Sequence, residues 1–389
     1  MHIVNVMFSK GLGGIEQALV DYCEALKMEG HKVTALIYPR AQIKSALLPL
    51  GVNIIEVKNF AGWDFLSRAY IKKVFGQLAP DAVIAHGNRA VSLVGRESFI
   101  VRRNDKPQTT NHKLPIIGVT HNYSIKHLIG LDAIFATTND LRAKVIEAGQ
   151  PADMVFKVPN MVRIDKGLGI MALERKNLAP SPQPPAPIII GTMGRFVKKK
   201  GFDVFIYALA HLKEQGVDFK AVIGGGGEEE DNLKKLAAEL GLSKAADCGG
   251  DSQRTINGQI PTTNDLLTFL GWVENKQQFF DNIDIFVLPS LHEPFGIILL
   301  EAFAHGKPVV VADSEGPSEI AENNIDAIIV KKGDYKALAE GIVKLVNDQA
   351  LASKIAQNGF AKAARYDIKP FAASLNEAVI KVKNGIGHE

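Results

Sequence analysis

Glu293 and Glu301 stand eight positions apart, on either side of a change in pattern. The segment Pro289-Ser290-Leu291-His292-Glu293-Pro294-Phe295-Gly296 follows an apolar run over 283–288 and leads into a second apolar pattern over 297–304. The first run reads as a buried strand and the second as a helix. Glu293 therefore lies in the loop past a strand's carboxyl end, and Glu301 about two turns into the next helix. Open parallel sheets bind ligands in that crevice. The amides of Phe295, Gly296 and Ile297 open the helix, where N–H groups have no intrahelical acceptor. A carboxylate beside such donors suits a ligand that carries both hydroxyls and a phosphate.

Three glycine-rich loops follow other strand patterns. Gly11-Leu12-Gly13-Gly14-Ile15-Glu16 opens the first helix pattern. Its backbone can approach an anion, yet Glu16 stands where a dinucleotide fingerprint needs glycine. A tight turn without ligand is the other reading. Gly194-Arg195 with Lys200-Gly201 brings a planar guanidinium fork and a point charge to one strand end, enough to neutralise a diphosphate. Its alternative is a solvated basic turn. Gly224 to Gly227, including Gly225, permits backbone contact with a flat group such as a nucleotide, or is a plain flexible turn. His86 and His121 each follow a strand pattern; either lines a cleft or satisfies a loop carbonyl.

The elements that position these residues alternate almost without break. Strands are expected at 2–8, 32–38, 53–57, 82–85, 116–120, 133–137 and 155–158, with helices at 14–29, 41–50, 65–78, 89–103 and 140–148. Five prolines in 179–187 exclude helix and central strand and read as a linker. Strands then resume at 188–191, 220–223, 267–270, 283–288, 308–312 and 327–330. Helices resume at 201–214, 229–240, 277–281, 296–305, 318–322 and 335–347. The expected fold is α/β: two Rossmann-like, doubly wound parallel-sheet domains facing a deep interdomain cleft. The boundaries are 1–163, a linker at 164–187, and 188–369. A last helix, about 370–389, carries Phe371, Leu375, Val379 and Val382 on one face and returns to the first domain. Residues 245–263 form either a surface loop or a lid.

A chain of 389 residues with 46% apolar and 22% charged residues is a soluble globular protein of two domains. It has no apolar run that would span a membrane, and residues 2–8 lack the basic lead of a signal peptide. Its two cysteines, Cys23 and Cys248, fit no metal or redox spacing. These features point to the cytoplasm. The first 163 residues carry 20 Lys and Arg against 13 Asp and Glu, so the remainder of this +3 chain is net acidic. Arg89, Arg96 and Arg103 recur every seven residues on the expected helix, with Arg102 and Lys106 beside them. The stripe is a solvated face or a contact for an anionic acceptor or the inner membrane surface. Nucleic acid is excluded as a partner: no aromatic residues interleave with the basic ones.

Taken together, these pieces resemble the retaining glycosyltransferases of family four, which have the GT-B fold. The likeness also draws on Ala85-His86-Gly87-Asn88, Thr120-His121-Asn122, Val158-Pro159-Asn160 and Phe269-Leu270-Gly271-Trp272-Val273, and runs over nearly the whole chain. Glu-Pro-Phe-Gly with the second glutamate eight places on is its most specific part. The resemblance implies a nucleotide-diphosphate sugar as donor, held by Arg195 and Lys200 at its diphosphate and by Glu301 at its ribose. It implies that Glu293, with the amides of Phe295, Gly296 and Ile297, orients the sugar and phosphate. Backbone groups of Val273 would read the base, Gly13 and Gly14 would approach the leaving phosphate, and His121 would meet the transferred sugar. The basic first half favours a glycan, lipid-linked or phosphorylated acceptor in the assembly of cell-envelope glycan (lipopolysaccharide, capsule or glycolipid). No Asp-x-Asp pair occurs, so a metal-independent reaction is expected, with no cofactor beyond the donor. A sugar-nucleotide epimerase of the same shape, or a non-catalytic sugar-nucleotide-binding subunit, are the alternatives.

Overall fold

The computed structural model describes residues 1–11, 13–58, 65–95, 100–102, 111–164, 187–244 and 264–386. The chain divides into two compact units, Met1–Met161 with Tyr366–Glu389, and Val162–Arg365.

In the first unit, apolar runs that cannot face water on either side build a parallel sheet. Its strands are β1 (His2–Met7), β2 (Lys32–Ile37), β3 (Asn53–Glu56), β4 (Ala82–His86), β7 (Ile116–Thr120), β8 (Ala133–Ala136) and β9 (Val155–Lys157). A separate antiparallel pair, β5 (Ile100–Arg102) and β6 (Asn111–Lys113), lies between β4 and β7 in the chain. The sheet order is β3-β2-β1-β4-β7-β8-β9. The chain thus builds outward from β1 in one direction and returns to add β4 on the other side. The crevice at such a reversal is where doubly wound sheets place ligands.

One face of this sheet, carrying Ile3, Met7, Ile84, Ile117 and Val119, packs under the helix Gly14–Met28 and the helix Ile368–Ile386. Phe371, Leu375, Val379 and Val382 are all buried there, each contributing roughly 1.5–3 kcal/mol of apolar burial. Asn376 accepts from His31 at 2.8 Å and donates to Glu29 at 2.8 Å, and Lys383 pairs with Asp81 at 2.9 Å. The last helix therefore belongs to the first unit by both apolar and polar contact.

The second unit holds β10 (Ile188–Met193), β11 (Phe219–Gly224), β12 (Leu267–Gly271), β13 (Ile285–Leu288), β14 (Val309–Ala312) and β15 (Ile328–Val330). Their order, β12-β11-β10-β13-β14-β15, is again parallel, with its reversal between β10 and β13. The helix Ile297–Ala304 buries Leu299, Leu300, Ala302, Phe303 and Ala304. A helix outside the expected set, Gln349–Ala363, pins it: a Cβ on Gly359 would lie 2.6 Å from the Phe303 ring.

Several expectations are corrected. The helix foreseen at 89–103 spans only Gly87–Val94, with Gly95 at its C-cap. Ile100 and Val101, whose β-branched side chains favour extended backbone, then enter β5. Arg89 and Arg102 consequently lie on different elements, and no single helix carries the basic stripe; Arg96, Arg103 and Lys106 lie outside the described residues. The helix expected at 41–50 shrinks to Lys44–Leu47 and a 3₁₀ turn, because Pro49 cannot continue it. The helix expected at 318–322 begins three residues earlier, at Glu315. Residues 179–186 of the proline-rich stretch and the stretch at 245–263 fall outside the described residues.

Candidate functional site

The reversal between β10 and β13 brings together two loops that lie almost a hundred residues apart in sequence. Their backbones are stitched: Leu291 and His292 donate to the Lys199 carbonyl at 2.9 and 3.1 Å. At Gly201, φ is +65° and a Cβ would meet the Pro289 carbonyl oxygen at 2.2 Å, so only glycine allows this approach. The consequence is an ion pair between Lys200 Nζ and Glu293 Oε2, largely sheltered from solvent, at 21% and 11% side-chain exposure. An ammonium has three donors, so Lys200 can hold Glu293 and still donate to a second oxyanion. Arg195, on the same loop, is exposed and makes no ion pair among the described residues.

Glu293 is held from its other side as well. Its amide donates to Glu315 Oε2 at 3.2 Å, and its carbonyl accepts from the Gly316 amide at 2.8 Å. Burial alone would raise the Glu315 carboxyl. Its own amide, His292, the Glu293 amide and Lys332 outweigh that and hold it at about 2. Glu315 is therefore a fixed anion under the Glu293 loop. Sequence reasoning passed over it; the signal was the helix-start pattern Ser314-Glu315-Gly316-Pro317.

Gly296 sits at φ +95° as the N-cap of the helix Ile297–Ala304, a conformation that favours glycine. Gly296 and Ile297 thus begin a helix whose first amides have no intrahelical acceptor. Phe295, just before it, is buried. Just over one turn on, Glu301 Oε1 accepts from Lys276 at 2.6 Å, while Glu301 Oε2 is buried without a partner among the described residues. A buried acceptor left bare costs about 1–3 kcal/mol, and a ligand hydroxyl would remove that cost. Lys276 was also missed; it opens the helix Lys276–Asp281, whose N-cap Asn275 accepts from the Gln278 amide.

The glycine run has a further structural reason, beyond the two read from the sequence. Gly225 has φ +134°, and a Cβ there would lie 1.9 Å from the Gly194 carbonyl oxygen; at Gly227 it would lie 2.6 Å from that of Phe196. These glycines admit the neighbouring Gly194–Phe196 backbone, which is also bonded to them (Gly194 N to Gly224 O, 2.9 Å). They shape the wall that carries Arg195. Gly225→Ala is therefore expected to lower the melting temperature by several degrees. Gly226→Ala, where a Cβ would find its nearest neighbour at 3.5 Å, should change stability by about 0.5 kcal/mol or less. Thermal denaturation of the two variants side by side checks the contrast. Val273 lies beside this wall: a Cβ on Gly224 would come within 2.6 Å of its Cγ2.

In the first unit, Gly13 is the N-cap of the helix that Gly14 begins, and a Cβ on Gly13 would meet Glu16 Oε2 at 2.9 Å. His86 Nδ1 and His121 Nε2 are 3.3 Å apart, and the rings stack at 5.6 Å. His86 is fully enclosed; His121 sits deep in its loop cluster yet keeps part of its surface open. Burial brings the His121 imidazole down to about 4, and burial followed by the neighbouring His121 holds His86 well below its ordinary value. Both are neutral near pH 7. A group with a lowered folded pKa adds stability that is complete above the unfolded value near 6.5. That stability is lost as pH falls toward the folded value. Melting temperature should thus drop between pH 6.5 and 4, and less steeply in His121→Asn.

Among the described residues no three His, Cys, Asp or Glu side chains converge as metal ligands, and no helix is long and apolar enough to cross a membrane.

Two parallel Rossmann-like units, each with a strand-order reversal, have the architecture of the GT-B fold. The Anabaena protein Alr3699/HepE, solved in complex with UDP-glucose, superposes with a TM-score of 0.73 at 19% identity, over 97% of this chain and 98% of that one. Residues 187–348 match the family model of the glycosyl transferases group 1. The lipopolysaccharide core biosynthesis glycosyltransferase LpsE of Rhizobium meliloti is 28% identical across 92% of this chain and 93% of its own. The capsular polysaccharide biosynthesis glycosyltransferase CapM of Staphylococcus aureus is 30% identical over 44% of this chain and 40% of its own. The family match thus covers most of the second unit, and the similarity to LpsE nearly the whole chain; together they mark the chain as a glycosyltransferase.

Proposed function

We propose that this glycosyltransferase is a retaining, family four enzyme. It moves a sugar from a nucleotide-diphosphate donor to a hydroxyl of a glycan, lipid-linked or phosphorylated acceptor, in the assembly of lipopolysaccharide core or capsule. The observation that carries this reading is the grouping at one strand-order reversal: Lys200 paired with Glu293, Arg195 on the same loop as Lys200, and Glu301 with a buried oxygen that has no partner among the described residues. The names of the full-length relative LpsE and of CapM support the choice of product.

In this reading Arg195 grips the donor diphosphate with its fork, and Lys200 adds its remaining N–H donors. Breaking the bond between the anomeric carbon and phosphate oxygen leaves both bonding electrons on the diphosphate and positive character on the sugar. Fixed cations and the amides of Gly296 and Ile297 stabilise that departing charge, usually the largest contribution to such a rate. The acceptor oxygen bonds to the anomeric carbon on the face the diphosphate leaves. Its proton passes to the departing phosphate oxygen, so configuration is retained. Glu293 orients the sugar and does not attack it. Glu301 takes the ribose hydroxyls, Val273 lies against the base, and Gly14 approaches the leaving phosphate.

Because two side-chain cations neutralise the diphosphate, turnover is expected to continue in excess chelator at close to its full rate. The test is a panel of UDP-, GDP- and ADP-sugars incubated with acceptors in chelator. The expected result is nucleoside diphosphate release coupled to transfer, with the donor's anomeric configuration kept in the product. Epimerisation without an acceptor, tight donor binding without turnover, or an inverted product would overturn it.

A further inference from the structure

We propose that Asn5 and His86 fix the tautomer of His121, so that its Nε2 carries the proton and its Nδ1 presents a bare acceptor to a sugar hydroxyl. The argument begins with register. Asn5 pairs with Ile84 across β1 and β4, and His86 pairs with Val119 across β4 and β7. With the two-residue period of a strand, Asn5, His86 and His121 point to the same face, the one roofed by the helix Gly14–Met28. The three form a diagonal row across adjacent strands. Asn5 and His86 are sealed from solvent, at 0% and 1% exposure.

The direction of each hydrogen bond then follows from what each atom can do. Asn5 Nδ2 donates to Cys23 Sγ at 3.6 Å, which turns Oδ1 toward His86 Nε2 at 3.5 Å. An amide oxygen only accepts, so His86 Nε2 holds the proton. A neutral imidazole carries one N–H, so His86 Nδ1 accepts, and His121 Nε2, 3.3 Å away, donates to it. Nδ1 of His121 is left with its lone pair and has no partner among the described residues. The Tyr22 ring packs edge-on against His86 at 4.8 Å and holds it in place. Burial keeps both imidazoles neutral and pushes the Cys23 thiol up to about 12, so the order at the start of the row is stable near pH 7.

A bare imidazole nitrogen accepts from a hydroxyl and offers nothing to a carboxylate or phosphate. Asn5 and His86 are thus positioning residues, acting on substrate only through His121. That the hydroxyl belongs to the transferred sugar rests on the proposed function; the tautomer does not.

The experiment is ¹⁵N NMR of the full chain labelled at histidine, with the His121 signals assigned by their loss in His121→Asn. The expected spectrum near pH 7.5 shows a pyrrole-type shift for His121 Nε2 and a pyridine-type shift for Nδ1. In Asn5→Leu the two tautomers should mix, while Asn5→Asp, which keeps an acceptor facing His86, should retain the native one. Glycosyl transfer should follow: kcat/KM falls about tenfold in Asn5→Leu and recovers at least in part in Asn5→Asp. A protonated Nδ1 in the native protein, or a His121 tautomer unchanged in Asn5→Leu, overturns the proposal. The native spectrum decides even if Asn5→Leu does not fold. If none of the proteins transfers sugar, the tautomer result stands and the functional reading fails separately.

Discussion

Lys200→Ala is expected to lower kcat by roughly 10²–10³-fold, the cost typical of losing one preorganised donor to a developing oxyanion. The reason is geometric. Lys200 lies on the loop after β10 and is held by Glu293 from the loop after β13, so its ammonium is fixed before substrate arrives. Removing it also strands the Glu293 carboxylate, which is only 11% exposed. A partly buried charge without a partner destabilises. Glu293→Gln combined with Lys200→Ala removes that stranded charge, so the double variant should regain thermal stability without regaining rate. Steady-state kinetics beside thermal melts separate the two effects. A Lys200→Ala enzyme within threefold of the native kcat would show that the diphosphate lies elsewhere. At Arg195, lysine should restore little, because a point charge cannot reproduce a bidentate fork.

The second large effect is expected at Glu301. Its Oε2 is a buried carboxylate oxygen with no partner among the described residues, while Oε1 is engaged by Lys276. A hydrogen bond to a charged acceptor contributes about 1.5–3 kcal/mol, which corresponds to about 10–150-fold in affinity. Glu301→Gln should therefore raise KM for the donor by about 10–100-fold. Because the ribose is remote from the bond that breaks, kcat should change little, the pattern of lost uniform binding. A donor lacking a ribose hydroxyl gives the sharper measurement. The native enzyme should discriminate against it strongly and Glu301→Gln weakly, so that the two changes do not add. Full additivity would place the ribose away from Glu301.

The fold was readable in the sequence because parallel strands buried on both faces leave continuous apolar runs. The strand 116–120 and the helices 65–78 and 335–347 lie where their patterns put them. Glu293, Glu301 and Lys200 could be found because strand-to-helix junctions are local. What escaped was non-local. Nothing near Lys200 indicates that it pairs with a carboxylate almost a hundred residues away; that follows from the order in which strands are laid down. Glu315 and Lys276 are ordinary charges until the fold sets them against the Glu293 amide and Glu301. The glycines at 225 and 227 read as room for a flat ligand or as a plain turn; that they also admit the backbone of Gly194 and Phe196 depends on strand order and leaves no local signal. The 89–103 pattern shows how seven-residue spacing of charges alone misleads, because the β-branched Ile100 and Val101 decide the local backbone. Asn5, by contrast, is visible as a lone amide inside an apolar strand.

The central claim is that the reversal between β10 and β13 holds a nucleoside diphosphate. A crystal structure of the protein soaked with UDP or GDP addresses it most directly. The predicted result is the diphosphate against Arg195 and Lys200, with the ribose hydroxyls on Glu301 Oε2. Nucleotide bound at another place, or a ribose that leaves Glu301 Oε2 without a partner, would contradict it.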